Sequence, residues 1–398
     1  MLCVNDTPLF DLSNNTTRLL LAALEAFQRA YSPIHGFICI VICTFSIGTN
    51  LIHVLVLTRP NMRCSAVNCV LTMVAICDMG TMASYFIYIC HFVLFKDTTC
   101  MPIYSYLWMR YLSCHMVLSI TLHTTSLWLI VAMAFIRQMT LRNAILNSNW
   151  QKPQMAWKVC LLIYFCVFLL CIPTLLVYDV VEIGDWHPAP HCAHDFPPNY
   201  TAKYYTFHIS SSAMENGCRF FKWNLWMSGI IFKVIPCILL LCFSSSLMLT
   251  LHRTTKKRMH LLKCNSTKTR RDVIKSDRTS VLLLAIVLVF LIAEMPQGII
   301  AIMNAIYTTH VHIYIYFNLG DILDLLSLLN SSITFVLYCL MSSRYRDTFW
   351  TVVLPKHLFS EFIRRKTSRM LPSEMRFMQK QVKRTVSSSS NYEAKILK

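Results

Sequence analysis

Five charged side chains interrupt long apolar runs in this sequence: Asp78, Lys233, Glu294, Asp321 and Asp324. An ionised group within a bilayer is costly, so it faces a protein interior, finds a partner and tends to mark a functional position. The chemistry these residues offer is ion pairing and recognition of a cation, not bond making. Asp78, in Ala75-Ile76-Cys77-Asp78, stays ionised only with partners such as Asn50, Ser126 and Asn330, or with a trapped cation. Glu294 precedes Met295-Pro296-Gln297-Gly298, where a proline lacking an N–H bends a helix and sets a carboxylate beside a moving part. Lys233 either neutralises Glu294 in a buried pair or joins it in contacting a ligand, and His123 faces the same cavity by its helical phase.

The elements that must hold these groups are membrane helices. Of 398 residues, 55% are apolar and 14% charged, against about 25% charged in a typical soluble domain. The apolar residues gather in seven runs, near 33–57, 66–95, 103–136, 157–178, 225–251, 279–307 and 312–341. Each is long enough to cross about 30 Å of hydrocarbon at roughly 1.5 Å per residue. The runs are continuous rather than alternating, and a helix satisfies its own backbone in lipid, so strands of a barrel are excluded. The expected fold is all-α: a seven-transmembrane helix bundle over 33–341, a tail at 1–32, a short amphipathic helix at 342–354 and a basic, Ser-rich tail at 355–398, with no sheet of consequence. No repeat of the kind that builds many transporters links its halves.

Basic residues cluster after the fifth run, from Arg253 to Arg278, and again around Arg364, Arg365 and Lys366. Such clusters stay on the cytoplasmic side, which puts the N-terminus outside and the C-terminus inside a plasma membrane. The net charge of +18 then reads as topology and attraction to anionic lipid, not as a nucleic-acid surface. Glycosylation triplets at Asn5, Asn14, Asn15 and Asn199 agree with that orientation, and no secretory signal precedes them. Most of the 18 cysteines lie inside apolar runs as small packed groups, whereas Cys100, Cys192 and Cys218 fall in outer loops and Cys114 near the outer end of the third run. A bridge from the third-helix region to the second outer loop would pin that loop over the bundle mouth. The segment His187, His191, Cys192, His194 has no established metal-ligand spacing, and neither metal nor cofactor is expected.

Over almost its whole length the chain resembles the rhodopsin-like G protein-coupled receptors, and among them the invertebrate myosuppressin and FMRFamide-type neuropeptide receptors. Gly48-Thr49-Asn50, Asn68 with Ala75–Asp78, and His123–Leu129 ending in Ile136-Arg137-Gln138 are similar to the first three helices of that family. The most specific marks are Lys233-Val234-Ile235-Pro236-Cys237 and Phe290–Gly298, which resemble the fifth and sixth helices of the peptide-receptor branch. Asn330–Cys339 followed by Arg344-Tyr345-Arg346 resembles the seventh helix and the short helix after it.

The resemblance implies an amidated peptide ligand, a heterotrimeric G protein partner and arrestin as a further one. Glu294, Asp321 and Asp324 would pair with the ligand's guanidinium, with Lys233, Gln297 and His123 around them. Asn50, Asp78, Ser126 and Asn330 would form a cation and activation network, and Arg137 with Tyr338 would meet the G protein. The family's outer disulfide takes Cys100 or Cys114 as partner, and Cys100 with Cys192 is the favoured pair. Departures are Ile136 in place of an acid before Arg137, which raises basal activity, Glu294 in place of a tryptophan, and Thr334-Phe335 in place of Asn-Pro. In the tail, Thr385 and Ser387–Ser390 offer phosphorylation sites for arrestin-type recognition. A lysine for a retinal Schiff base is absent from 312–341, scattered histidines do not make a membrane hydrolase, and the alternative to a peptide receptor is a chemosensory receptor for a small odorant.

Overall fold

The computed structural model describes residues 6–96, 100–142, 149–188, 190–261 and 267–353. Asn5, the tail beyond Val353 and most side chains of the basic loop lie outside what is described. Among the described residues, seven helices are long and apolar enough to cross a membrane: α1 (Asn15–Leu57), α2 (Ala66–Leu94), α3 (Tyr106–Thr140), α4 (Pro153–Val177), α5 (Ser211–Thr250), α6 (Val287–Ile306) and α7 (Thr308–Leu340). Around the bundle, α1 packs on α2 and α7, α3 on α2, α4 and α5, and α6 on α5 and α7. Large apolar side chains such as Leu161, Leu162, Phe165 and Leu169 of α4 point outward and exposed, where hydrocarbon replaces water as their solvent. A separate amphipathic helix, α8 (Ser343–Val353), carries Phe349 and Trp350 beside Arg344, Arg346 and Asp347.

α1 starts 18 residues before its apolar run, so the expected boundary between tail and bundle at 32/33 is not a structural one. Asn14 caps the helix through its Oδ1, which accepts from the Thr16 N–H at 2.9 Å, satisfying one of the four free donors of a first turn. Glu25 and Arg29 pair at 2.8 Å on an exposed face. Charges at that spacing support a helix, although they break its hydropathy. The second difference is β-structure. The α4–α5 connection forms an antiparallel hairpin of β1 (Tyr178–Trp186) and β2 (Ala202–Ile209), registered from Tyr178 with Ile209 to Trp186 with Ala202 and irregular between Glu182 and Gly184. Val180, Val181, Tyr204, Tyr205 and Phe207 favour a pleated surface, but their run is too short and too interrupted for a bilayer-scale scan.

The hairpin is fixed at the mouth by three devices. Cys100 and Cys192 are disulfide-bonded with 5.6 Å between their Cα atoms, the favoured pairing. The Tyr205 N–H donates to the Tyr104 carbonyl at 3.0 Å, and Tyr104 meets Tyr204 edge-on at 5.3 Å. Ser210 closes the return to α5, its N–H bonding the Val177 carbonyl and its Oγ the Leu176 carbonyl, both at 2.8 Å.

Two local irregularities aim the site. α5 contains a π-helical turn at Ile230–Val234, just ahead of Pro236. Proline has no N–H and crowds the carbonyl four residues back, and a widened turn relieves that crowding while rotating the next side chains. Lys233 lies in that turn. Opposite it, Gly298 of α6 comes so close that a Cβ there would stand 3.0 Å from the Lys233 Cβ, and one turn higher a Cβ on Gly229 would stand 3.1 Å from the Ile302 backbone nitrogen. The two glycines let α5 and α6 approach closely enough for Lys233 to reach across.

Candidate ligand cup and polar core

Glu294 is fully buried, and its carboxylate takes donors from three other helices. Lys233 Nζ of α5 donates to Oε2 at 2.5 Å, while His123 Nε2 of α3 and Asn330 Nδ2 of α7 donate to Oε1 at 3.1 and 2.9 Å. Lys233 also donates to Gln297 Oε1 at 2.9 Å. The Gln297 amide in turn donates to Ser327 Oγ at 2.7 Å, and to the carbonyls of Leu323 and Ala293 at 3.0 and 3.1 Å. A carboxylate only accepts and an ammonium only donates, so the direction of each bond follows. The cluster neutralises itself: one carboxylate, one ammonium and an imidazole that donates through Nε2. A buried pair satisfied in this way is costly to break from one side, because the survivor is left charged and dry.

Asp78 stands apart from that cluster. Ser126 Oγ donates to its Oδ1 at 2.9 Å, and Ser331 lies beside it. Asn50 donates to Ser46 Oγ and to the Ser46 carbonyl, each at 3.1 Å, and more weakly to the Ser331 carbonyl at 3.4 Å. The four residues expected as one network therefore divide: Ser126 bonds Asp78 with Ser331 beside it, Asn50 reaches this group only through the Ser331 carbonyl, and Asn330 turns to Glu294. Sequence reasoning missed Ser331, whose only signal is its place one residue past Asn330.

Asp321 and Asp324 sit one turn apart on α7, both partly exposed. Tyr85 of α2 approaches Asp324, with Tyr88 and Tyr316 nearby, and Tyr31 and His35 of α1 lie within the electrostatic reach of Asp321. Among the described residues neither aspartate forms an ion pair. Glu294 and the α7 aspartates thus differ in kind. The expectation that Glu294 itself meets a ligand's guanidinium does not fit this conformation, because burial and three donors leave its carboxylate no free face. The two α7 carboxylates carry no cationic partner among the described residues; Tyr85 hydrogen-bonds Asp324, and aromatic rings wall the pair.

At the opposite end of the bundle, Arg137 donates to the Tyr338 hydroxyl at 2.5 Å, and Tyr338 reaches Met133 Sδ at 3.7 Å. The His53 ring lies 5.7 Å from the Tyr338 ring. With Ile136 buried beside it, Arg137 has no acidic neighbour in sequence and takes the tyrosine instead. Asn14 spends its Oδ1 on the α1 cap, and Asn199 is exposed near the start of β2 with φ 62°. Cys192 is held in its disulfide and so gives no thiolate to a metal.

Seven spanning helices around a polar, ion-paired core, with a disulfide-pinned hairpin at one end and an arginine–tyrosine contact at the other, define a seven-helix membrane receptor. The chain belongs to the serpentine seven-transmembrane G protein-coupled chemoreceptor family Srw, whose model matches residues 37–356. It is 33% identical over 384 residues to the G-protein coupled receptor dmsr-1 of Caenorhabditis elegans, covering 87% of this chain and 74% of that one. It is 23% identical over 342 residues to the sex peptide receptor of Drosophila melanogaster, covering 81% and 73% of the two chains. The protein is accordingly a multi-pass membrane receptor and not an enzyme, and its partners are a ligand and a heterotrimeric G protein.

Proposed function

We propose that this receptor binds an extracellular amidated neuropeptide of the RFamide or myosuppressin type. The observation that carries the reading is the pair Asp321 and Asp324, one turn apart on α7 and without an ion-pair partner among the described residues, whereas the Glu294 cluster neutralises itself. A cationic arginine placed there gains charge-assisted bonds shielded from water, and Tyr31, Tyr85 and Tyr88 offer faces to an aromatic residue or to the guanidinium itself. Glu294, Lys233, His123 and Gln297 form the floor, and the ligand works by changing how that floor joins α3, α5, α6 and α7. In this reading the N-terminus and hairpin face outward, Asn5, Asn14, Asn15 and Asn199 are glycan acceptors, and Arg137 and Tyr338 meet the G protein within the cell. Asp78 with Ser126 and Asn50, and Asn330 through Glu294, relay between the two ends, and arrestin follows phosphorylation of the tail.

The similarity to a receptor named for a peptide supports this reading. The chemoreceptor description of the family supports the second one, a small odorant-type ligand. A calcium or cyclic-AMP assay against a library of amidated peptides, with free-acid versions as controls, separates them. Activation at submicromolar dose that is lost without the amide is expected. Silence across the amidated set from a receptor shown to be at the cell surface, or a response only to small volatile molecules, overturns the peptide reading.

A further inference from the structure

The segment ahead of α1 is built into the hairpin end of the bundle. The Asp6 side chain is 2% exposed and accepts from Lys222 Nζ of α5 at 3.3 Å. Its other oxygen accepts from the Thr309 backbone N–H at 2.5 Å, at the tight corner where α6 gives way to α7. Four residues on, the Phe10 N–H donates to His310 Nδ1 at 3.2 Å. The Phe10 ring stacks on His310 with centroids 6.1 Å apart and meets Tyr314 edge-on at 6.2 Å. Asp11 then turns the chain toward the α1 cap by accepting from Ser13 at 2.6 Å.

α5 and α7 each pack on α6, so one carboxylate ties together the ends of two helices that flank a third. Lys222 stands about three turns above Lys233 on α5. The bundle is thus joined twice by lysines of the same helix, at the rim through Asp6 and at the floor through Glu294. We propose that Asp6–Asp11 is a clasp that holds the rim of α5, α6 and α7 closed, and that it must release before a ligand can reach the cup. The inference rests on the cup described above and adds its regulation.

The test needs no agonist. A thiol is introduced by Ser327→Cys, beside Gln297 in the cup, and purified receptor in lipid nanodiscs is exposed to a cationic thiosulfonate, ethyltrimethylammonium methanethiosulfonate. The rate is taken above that of the parent, whose native thiols set the background. Adding Asp6→Ala or Lys222→Met should speed labelling at least about tenfold, the population change that follows loss of a hydrogen bond to a charged group. Phe10→Ala, which leaves both Asp6 contacts in place, should speed it less and keeps the test open if Asp6→Ala fails to fold. Equal rates in folded receptor with and without these changes, zero included, overturn the clasp. Because no peptide is used, that failure leaves the peptide reading standing, and a silent peptide screen leaves the clasp standing.

Discussion

Replacing Lys233 with methionine probes the floor of the cup most sharply. The substitution keeps much of the side chain's bulk against Gly298 and removes the ammonium 2.5 Å from Glu294. What remains is a carboxylate with no exposure, held by one imidazole and one amide. The Lys233 side chain is only 15% exposed and Glu294 not at all, and losing one partner of such a buried pair costs about 3 to 5 kcal/mol. Glu294→Met should cost a similar amount by stranding the ammonium. The double variant strands neither and should recover most of the loss, since an apolar replacement of a whole buried pair is often near neutral. Unfolding can be followed with a thiol-reactive dye, because Cys39, Cys43, Cys77, Cys160, Cys171 and Cys237 are free and buried in the folded chain. Both single variants should melt well below the wild type, and the double should return close to it. A double variant that melts lower by the sum of the two single losses would refute the pairing.

Burial acts to raise the Asp6 carboxyl, but hydrogen bonds from Thr309 and Lys222 and the Lys222 charge outweigh it and hold the group below its ordinary value of 3.8. A carboxylate depressed in the folded state contributes stability above that value and loses it as the pH falls further. The melting difference between wild type and Asp6→Asn should therefore be full at neutral pH and shrink below about pH 4, with His310 common to both; a difference that persists into acid contradicts this. Cys100→Ser should cost roughly 2 to 5 kcal/mol, because the bridge closes a segment of 92 residues, and the loss should be visible as lower surface expression. Gly229→Ala should cost about 1 to 3 kcal/mol through overpacking, because the backbone nitrogen of Ile302, 3.1 Å from the new Cβ, cannot swing aside as a side chain would. An unchanged melting point would show that α5 and α6 have room to spare.

The bundle was legible in the sequence because bilayer thickness imposes one length on every crossing, and seven continuous apolar runs satisfy it. The beginning of α1 was not, since Arg18, Glu25 and Arg29 lower the hydropathy of a segment that is nonetheless helical. The hairpin was missed because strands of nine and eight residues outside the bilayer leave no trace at a spanning helix's scale. Glu294, Lys233, His123 and Gln297 were legible as a group, each being a polar residue where lipid forbids one. Their pairing was not. Whether Glu294 is a free anchor or a neutralised one depends on the π turn that aims Lys233 and on the glycines that bring α5 against α6, and neither has a signature in periodicity. The Asp6 clasp was hidden for a further reason: an aspartate near a chain terminus looks like any solvated residue until the fold carries it to the α6–α7 corner.

On the proposed reading Asp321 and Asp324 hold the cation of the ligand, and a cycle crossing receptor and peptide measures that pairing itself. An activating amidated peptide is made with arginine or with citrulline, which keeps the shape and removes the charge. Its potency is then compared on wild type and on the Asp321→Asn, Asp324→Asn double variant. Citrulline should cost the wild type at least about tenfold, the scale of a charge-assisted bond, and cost the variant almost nothing more. Losses that simply multiply would place the cation elsewhere in the receptor.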